Sequence, residues 1–310
     1  VVGAPFIASH NKYPKTQKRV FKMNKKIIKV AAVQTMISKD LNSNLKSLIS
    51  ITKDAAKSGA QIILLPELFE YHYFCKEQKD EFFSLANEVQ DHPFLSKFQD
   101  LCRELKIVMP VSFFEKASNA YYNSIAIIDA DGSMLGTYRK SHIPDGPGYE
   151  EKFYFRPGDS GFKVWQTRYA KIGVGICWDQ WYPEAARAMV LEGAEVLFYP
   201  TAIGSEPANP SLETKDPWQR AMQGHAVSNI CPVVAANRTG DEEGQSFYGH
   251  SFLTNELGEI TKEIGNGKEG FISQELDLDK IAKHRASWGF FRDRRPELYS
   301  VLSTADGRKP

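Results

Sequence analysis

The segment IIKVAAVQT, residues 27–35, is rich in β-branched residues and bounded by polar ones, which predicts a strand. After it, LNSNLKSLISITKDAAKSGA carries its apolar residues at helical spacing and reaches Gly59 near its end, which predicts a helix and its stop. QIILLPE, residues 61–67, is a near-continuous apolar run of the kind covered on both faces, completing a β-α-β unit. A second unit repeats the plan: KIGVGICWD (171–179), a helix over PEAARAMVLEGA with Pro183 suited to its first turn, and EVLFYPT (195–201). In both copies a Gly-Ala pair, a polar residue and four apolar residues lead to proline, from Gly59 to Pro66 and from Gly193 to Pro200, which points to an internal duplication.

Between the units, IVMPVSFFE, YYNSIAIID and MLGTYRK read as strands, the last two joined by a hairpin turn at Ala130-Asp131-Gly132-Ser133. Beyond the second unit, ETKDPWQRAMQGHAVSNI reads as a helix, and CPVVAANR, HSFLTN and EITKEI as further strands. This alternation covers about residues 27–285 without a Pro/Gly/Ser-rich linker, so an α/β fold in one domain over 23–310 is expected.

Charge changes the picture only at the N-terminus. The chain has 39 basic and 38 acidic side chains, a balance that gives no reason to expect a nucleic-acid or membrane surface. Yet no carboxylate precedes Asp40, and Lys12, Lys15, Lys18, Arg19 and Lys22 all precede Met23, so residues 1–22 are expected to be a basic extension outside the fold. No apolar run is long enough to span a bilayer, and Cys75, Cys102, Cys177 and Cys231 show no C-x-x-C pairing, which suits a reducing cytoplasm.

Three residues carry candidate chemistry. Cys177 closes a buried strand with Gly173 and Gly175 behind it and a helix start ahead, a place where backbone amides can stabilise thiolate and oxyanion charge; on position alone a cysteine there is more often a small buried hydrophobe. Glu67 follows the apolar run ILLP, where a carboxylate must be paired or functional. Lys140, after a strand in TYRKSHIPD, has on its own the profile of a solvated lysine.

Their combination decides. LLPELFE, YRKSHIPDGPGYEEKFYFRPGD and GVGICWDQWYPEAARAMVLEGAEVLFYPTAIGSEP resemble the three catalytic blocks of the nitrilase superfamily, and the similarity runs from about Lys26 to Tyr299. The branch most resembled, through GPGYEEKFYFRPGD, CWDQWYPEAARAM, TAIGSEP and WGFFRDRRPELY, acts on N-carbamoylated amines. The resemblance implies a four-layer α-β-β-α sandwich with internal pseudo-twofold symmetry. It also implies Cys177 as nucleophile, Glu67 as general base, Lys140 as stabiliser of the tetrahedral intermediate, and Glu151 as a second glutamate that positions the lysine or the substrate. No metal or organic cofactor is expected.

The substrate implied is N-carbamoylputrescine, a small cationic ureido compound, split to putrescine, ammonia and carbon dioxide; β-ureido acids, ω-amides and nitriles are the alternatives. A distant ammonium calls for a carboxylate at the far end of the pocket, and Glu206 in TAIGSEP is the candidate, against a plain exposed loop glutamate. Tyr73, Tyr149 and Trp178 are candidate walls for the alkyl chain, with Thr201 beside them. A non-catalytic scaffold would have no reason to keep the cysteine, glutamate and lysine together. Homo-oligomers are common in the family, and the aromatic, arginine-rich WGFFRDRRPELY suits an interface or a pack against its own subunit. His225 on its helix reads as a core histidine before a Cys-His partner, His72, His142 and His250 lack metal-ligand spacing, and Cys75, Cys102 and Cys231 are expected to be inert.

Overall fold

The computed structural model describes residues 26–308, so the basic extension expected at 1–22 lies outside the described residues. In chain order the elements are β1 (Ile27–Gln34), α1 (Leu41–Lys57), β2 (Ile62–Leu64), α2 (Leu95–Leu105), β3 (Met109–Ala117), β4 (Ala120–Ile128), β5 (Met134–Arg139), α3 (Glu151–Tyr154) and β6 (Val164–Gln166). They continue with β7 (Lys171–Val174), α4 (Pro183–Leu191), β8 (Val196–Thr201), α5 (Lys215–Asn229), β9 (Val233–Asn237), β10 (Thr239–Glu242), β11 (Gln245–Tyr248), β12 (Phe252–Thr254), β13 (Ile260–Glu263), β14 (Gly270–Asp277) and α6 (Leu278–Trp288).

Two sheets of the same design carry the fold. One runs β6-β7-β8-β9-β12-β13, with β7, β8 and β9 parallel and the outer pairs antiparallel. The other runs β14-β1-β2 and continues into β3-β4-β5 through the parallel bridge of Ile62 with Val108. Here β1 and β2 are parallel, β14 pairs antiparallel with β1, and β4 pairs antiparallel with both β3 and β5. The two sheets therefore match strand for strand, except that the edge strand beside β7 directly precedes it in sequence while the one beside β1 arrives from the far end of the chain.

Side-chain alternation sorts the strands into layers, because successive residues point to opposite faces. Val30, Ala32, Ile62 and Leu64 of the first sheet meet Val174, Val196, Phe198, Val234 and Ala236 of the second in a shared central core. Their neighbours Ala31, Val33, Ile63 and Leu65 face outward onto Leu45 and Leu48 of α1 and Phe98 and Leu101 of α2. On the opposite side Leu197, Tyr199, Val233 and Ala235 pack on Met189 of α4 and Trp218, Met222 and Ala226 of α5. Helix, sheet, sheet, helix is the expected four-layer α-β-β-α sandwich with pseudo-twofold symmetry.

The sequence pattern overruns some strand ends. β2 ends at Leu64 and β7 at Val174, so both candidate catalytic residues stand beyond their strands, where the backbone is free to turn. Gly173 and Gly175 do not adopt positive φ; they supply room instead of a bend, since a Cβ would lie 2.9 Å from Met189 Sδ in one case and 2.9 Å from the Tyr199 ring in the other. α4 opens with Pro183 in its first turn, as its sequence predicts.

Candidate active site

Glu67, Lys140, Cys177 and Glu151 come from four separate segments and meet at one end of the sandwich. Lys140 follows β5 and is fixed through its backbone, its N–H donating to the Asn123 carbonyl at 2.9 Å and its carbonyl accepting from Gly158 at 2.8 Å. Its ammonium donates to Glu151 Oε2 at 2.6 Å and Glu67 Oε1 at 2.9 Å, with all three side chains fully buried. Asn123 of β4 also donates to Glu67 Oε1, at 2.6 Å, and the Tyr73 hydroxyl donates to Glu151 Oε1 at 2.6 Å. Glu67 Oε2 is buried and has no partner among the described residues.

Burying one cation with two carboxylates costs several kcal/mol per ion unless each is bonded, so such a cluster is an expensive way to hold a fold and a reasonable way to hold a reactant. Burial alone would lower the Lys140 ammonium, but the charges of Glu151, Glu67 and Cys177 outweigh it and hold the group well above its usual value. Burial raises the Glu151 carboxyl against the pull of Lys140.

Cys177 sits in a short 3₁₀ turn with φ of 40°, a left-handed conformation that a non-glycine residue adopts only when its surroundings impose it. Asp179 imposes it. This fully buried carboxylate accepts from the Ile176 N–H at 2.9 Å and the Tyr138 hydroxyl at 2.7 Å on one oxygen, and from the His142 N–H at 3.0 Å on the other. It thus ties the turn bearing Cys177 to the loop just after Lys140. Burial, then the Glu67 charge, push the thiol well above its usual value, with Lys140 pulling it down and Glu151 adding to the rise. The thiol is protonated at rest and needs a base to become a nucleophile.

The remaining candidates divide. Tyr73 is fully buried, and its role as a plain wall gives way to a hydrogen bond on Glu151, although its ring does lie 5.8 Å from that of Tyr149. Tyr149 accepts from the Gly204 N–H at 2.9 Å and donates to the Ser205 carbonyl at 3.1 Å. Burial raises its phenol, and the charges of Glu206 and Cys177 raise it further. Trp178 is 38% exposed beside Cys177 and packs on Trp181. Thr201 is buried with its hydroxyl given to Gln180 at 3.0 Å, and its carbonyl faces the Glu67 N–H at 3.4 Å.

Glu206 is half-buried and lines a cavity of ≈ 370 Å³ together with Glu213, Asp241, Phe247 and Tyr248; among the described residues no lysine or arginine lines it. Burial raises the Glu206 carboxyl. His225 is a core histidine: its Nε2 lies 2.8 Å from the Gln180 carbonyl, and burial lowers its pKa. Cys75, Cys102 and Cys231 are free, buried and raised, Cys231 to about 12, which keeps them protonated. No group of three or more His, Cys, Asp or Glu among the described residues is placed to hold a metal ion.

Sequence reasoning missed Asn123, Asp179 and the hydroxyl of Tyr73. Asp179 left a signal, a carboxylate two residues past Cys177 in an otherwise apolar stretch; Asn123 left none, because its bond to Glu67 spans two strands distant in sequence.

Comparison with known proteins closes the point. The profile of the carbon-nitrogen hydrolase family matches residues 29–286. The chain belongs to the carbon-nitrogen hydrolase family. It is 56% identical over 293 residues to an N-carbamoylputrescine amidase of Solanum tuberosum, covering 92% of this chain and 98% of that one. It is also 52% identical over 279 residues to a citrullinase of Francisella tularensis, covering 89% and 98%. Among solved structures, a carbon-nitrogen hydrolase of Helicobacter pylori G27 superposes with a TM-score of 0.85 at 36% identity, covering 90% of this chain and 99% of that one. In this carbon-nitrogen hydrolase Glu67, Lys140 and Cys177 lie just beyond the ends of β2, β5 and β7, and Glu151 opens α3.

Proposed function

We propose that this chain hydrolyses N-carbamoylputrescine to putrescine, ammonia and carbon dioxide, with Cys177 as nucleophile, Glu67 as general base and acid, Lys140 as oxyanion stabiliser and Glu151 as the group that positions Lys140. The observation that carries the chemistry is the buried, unpartnered Oε2 of Glu67, whose other oxygen is already held by Lys140 and Asn123. That oxygen takes the Cys177 proton as sulfur attacks the ureido carbon, and the Lys140 ammonium faces the negative oxygen of the tetrahedral adduct. The protonated Glu67 then returns the proton to the departing nitrogen, releasing ammonia and leaving a carbamoyl thioester on Cys177. Water, deprotonated by Glu67, attacks the thioester; the thiol regains its proton, and the carbamic acid released decomposes to amine and carbon dioxide.

Substrate choice is assigned to Glu206, whose cavity is lined by none of the four catalytic candidates but includes Gly204 and Ser205, the hydrogen-bond partners of Tyr149. A cationic tail suits Glu206 and a cavity whose lining, among the described residues, carries Glu213 and Asp241 and no basic residue, whereas the carboxylate tail of a β-ureido acid would meet like charge there. Tyr149 and Trp178 serve as walls, while the fully buried Thr201 accepts the Glu67 N–H through its carbonyl. Citrulline shares the ureido group and adds a carboxylate beside its ammonium, so it is the sharpest competitor. Ammonia release from N-carbamoylputrescine, citrulline, β-ureidopropionate and glutaramate tests the reading. Preference for the carbamoylated diamine, lost in Cys177→Ala, is expected; preference for any carboxylate-bearing substrate overturns the Glu206 assignment.

The same reading treats 23–310 as one catalytic domain with 1–22 as an appended basic arm, acting as a homo-oligomer in the cytoplasm. The four free cysteines support a reducing compartment. The exposed apolar side chains Leu298, Val301 and Leu302 near the C-terminus support association, and no helix among the described residues is long and apolar enough to cross a membrane.

A further inference from the structure

We propose that Arg238, at the end of β9 in the opposite sheet, and Glu242, on the β10-β11 hairpin, form a positioning pair that holds the catalytic turn at residues 67–73. Arg238 directly follows β9 and is fully buried. Its Nη2 donates to the carbonyls of Glu67 at 2.7 Å and Leu68 at 2.6 Å, and its Nη1 to the carbonyl of Tyr71 at 3.3 Å and to both carboxylate oxygens of Glu242 at 2.9 Å. Glu242 in turn accepts the Tyr73 N–H at 2.5 Å. One ion pair therefore grips the first and last residues of the turn, and those two residues deliver the Glu67 carboxylate and the hydroxyl that bonds Glu151.

The turn needs gripping. Leu68 within it has φ of 44°, and its N–H is held by Ser112 Oγ at 2.9 Å. Only a planar fork of donors can hold two successive carbonyls and a carboxylate at once, and the rings of Tyr73 and Phe247, 5.7 and 5.3 Å from the guanidinium carbon, confine it. A buried ion pair is a poor source of stability and a good source of fixed geometry, and here the geometry fixed is that of the base.

The inference rests on the assignment of Glu67 as general base, so Glu67→Gln is measured beside Arg238→Lys, Arg238→Ala and Glu242→Gln. For Arg238→Lys, which keeps the charge and loses the fork, kcat on N-carbamoylputrescine falls by about 100-fold with KM little changed, the displacement cost of a misplaced catalytic group. Its kcat–pH profile moves to higher pH, because solvent hydroxide must do part of the deprotonation, and thermal denaturation shows the protein folded at the assay temperature. Added guanidinium ion restores part of the rate to Arg238→Ala. Folded Arg238→Lys and Glu242→Gln with wild-type kcat and an unmoved pH profile, or losses that only track the unfolded fraction, overturn the positioning role. An active Glu67→Gln overturns the base assignment and this inference with it; an inactive Glu67→Gln beside active Arg238 variants overturns this inference alone.

Discussion

The two β-α-β units of this enzyme share a scaffold and differ in what they place at its rim. The ladders align Val30 with Ile62 in the first unit and Ile172 with Val196 in the second, and the Gly-to-Pro repeat matches Glu67 to Thr201. By the same registers Thr35 is the counterpart of Cys177. The first unit thus carries its reactive group after its second strand, and the second unit after its first strand. Thr35 lacks the left-handed backbone of Cys177 and bonds through its hydroxyl to Glu269, while Thr201 spends its hydroxyl on Gln180. The repeated unit supplies two rigid strand pairs; in the proposed mechanism the asymmetry at their ends supplies the reaction, with Glu67 and Cys177 on opposite sheets and the seam between them as the site.

Exchanging roles at these matched positions is the most severe test. Cys177→Ala lowers kcat by about 10⁴-fold or more, since nucleophilic catalysis is lost outright, while Thr35→Val leaves kcat unchanged in the same ammonia assay. A comparable loss at Thr35 would break the comparison. Next in size, Glu67→Gln lowers kcat by about 10²–10⁴-fold, the usual worth of a general base, whereas Thr201→Ser at its counterpart changes kcat far less. Rapid-quench measurement of the carbamoyl-enzyme divides the Glu67→Gln loss between its formation and its hydrolysis, both of which slow because Glu67 moves a proton in each.

Smaller effects belong to recognition. Glu206→Gln raises KM for N-carbamoylputrescine by about 10–100-fold, the range of a charge-assisted hydrogen bond, and leaves the neutral analogue N-butylurea unaffected. Acid produces the same change in wild type. Because burial raises the Glu206 carboxyl, its anion is lost as pH falls at a higher pH than for an ordinary glutamate, so KM for the cationic substrate climbs on acidification. In Glu206→Gln that climb disappears. The smallest effect concerns the helices of the two units: Asp40 caps α1 through the Ser43 N–H at 2.6 Å, while α4 begins at Pro183 with no side-chain cap. Asp40→Ala therefore costs about 1 kcal/mol in denaturant unfolding without touching kcat.

The scaffold was legible in the sequence because it is written in local patterns. Apolar runs closed by proline located β2 and β8, and helical spacing located α1, α4 and α5, each within a few residues. The edge strand β14 was not legible: GFISQELD is half-buried and mixed in polarity, and its place depends on β1, far away in sequence. The site divides in the same way. Glu67 stands out as a carboxylate after a buried run, but Lys140 looks like any surface lysine until the fold sets it between two glutamates. Asn123, Asp179 and Arg238 act by reaching across elements, and no spacing along the chain records such a reach.

The return of β14 to β1 also bears on biosynthesis. Ile27 pairs with Asp277 and Gln34 with Gly270, so β1 is synthesised long before the strand that closes the edge of its sheet. The second sheet, whose edge strand β6 immediately precedes β7, is under no such delay. A nascent chain halted before residue 270 exposes the free edge of β1 to any passing strand, and only the arrival of β14 seals it.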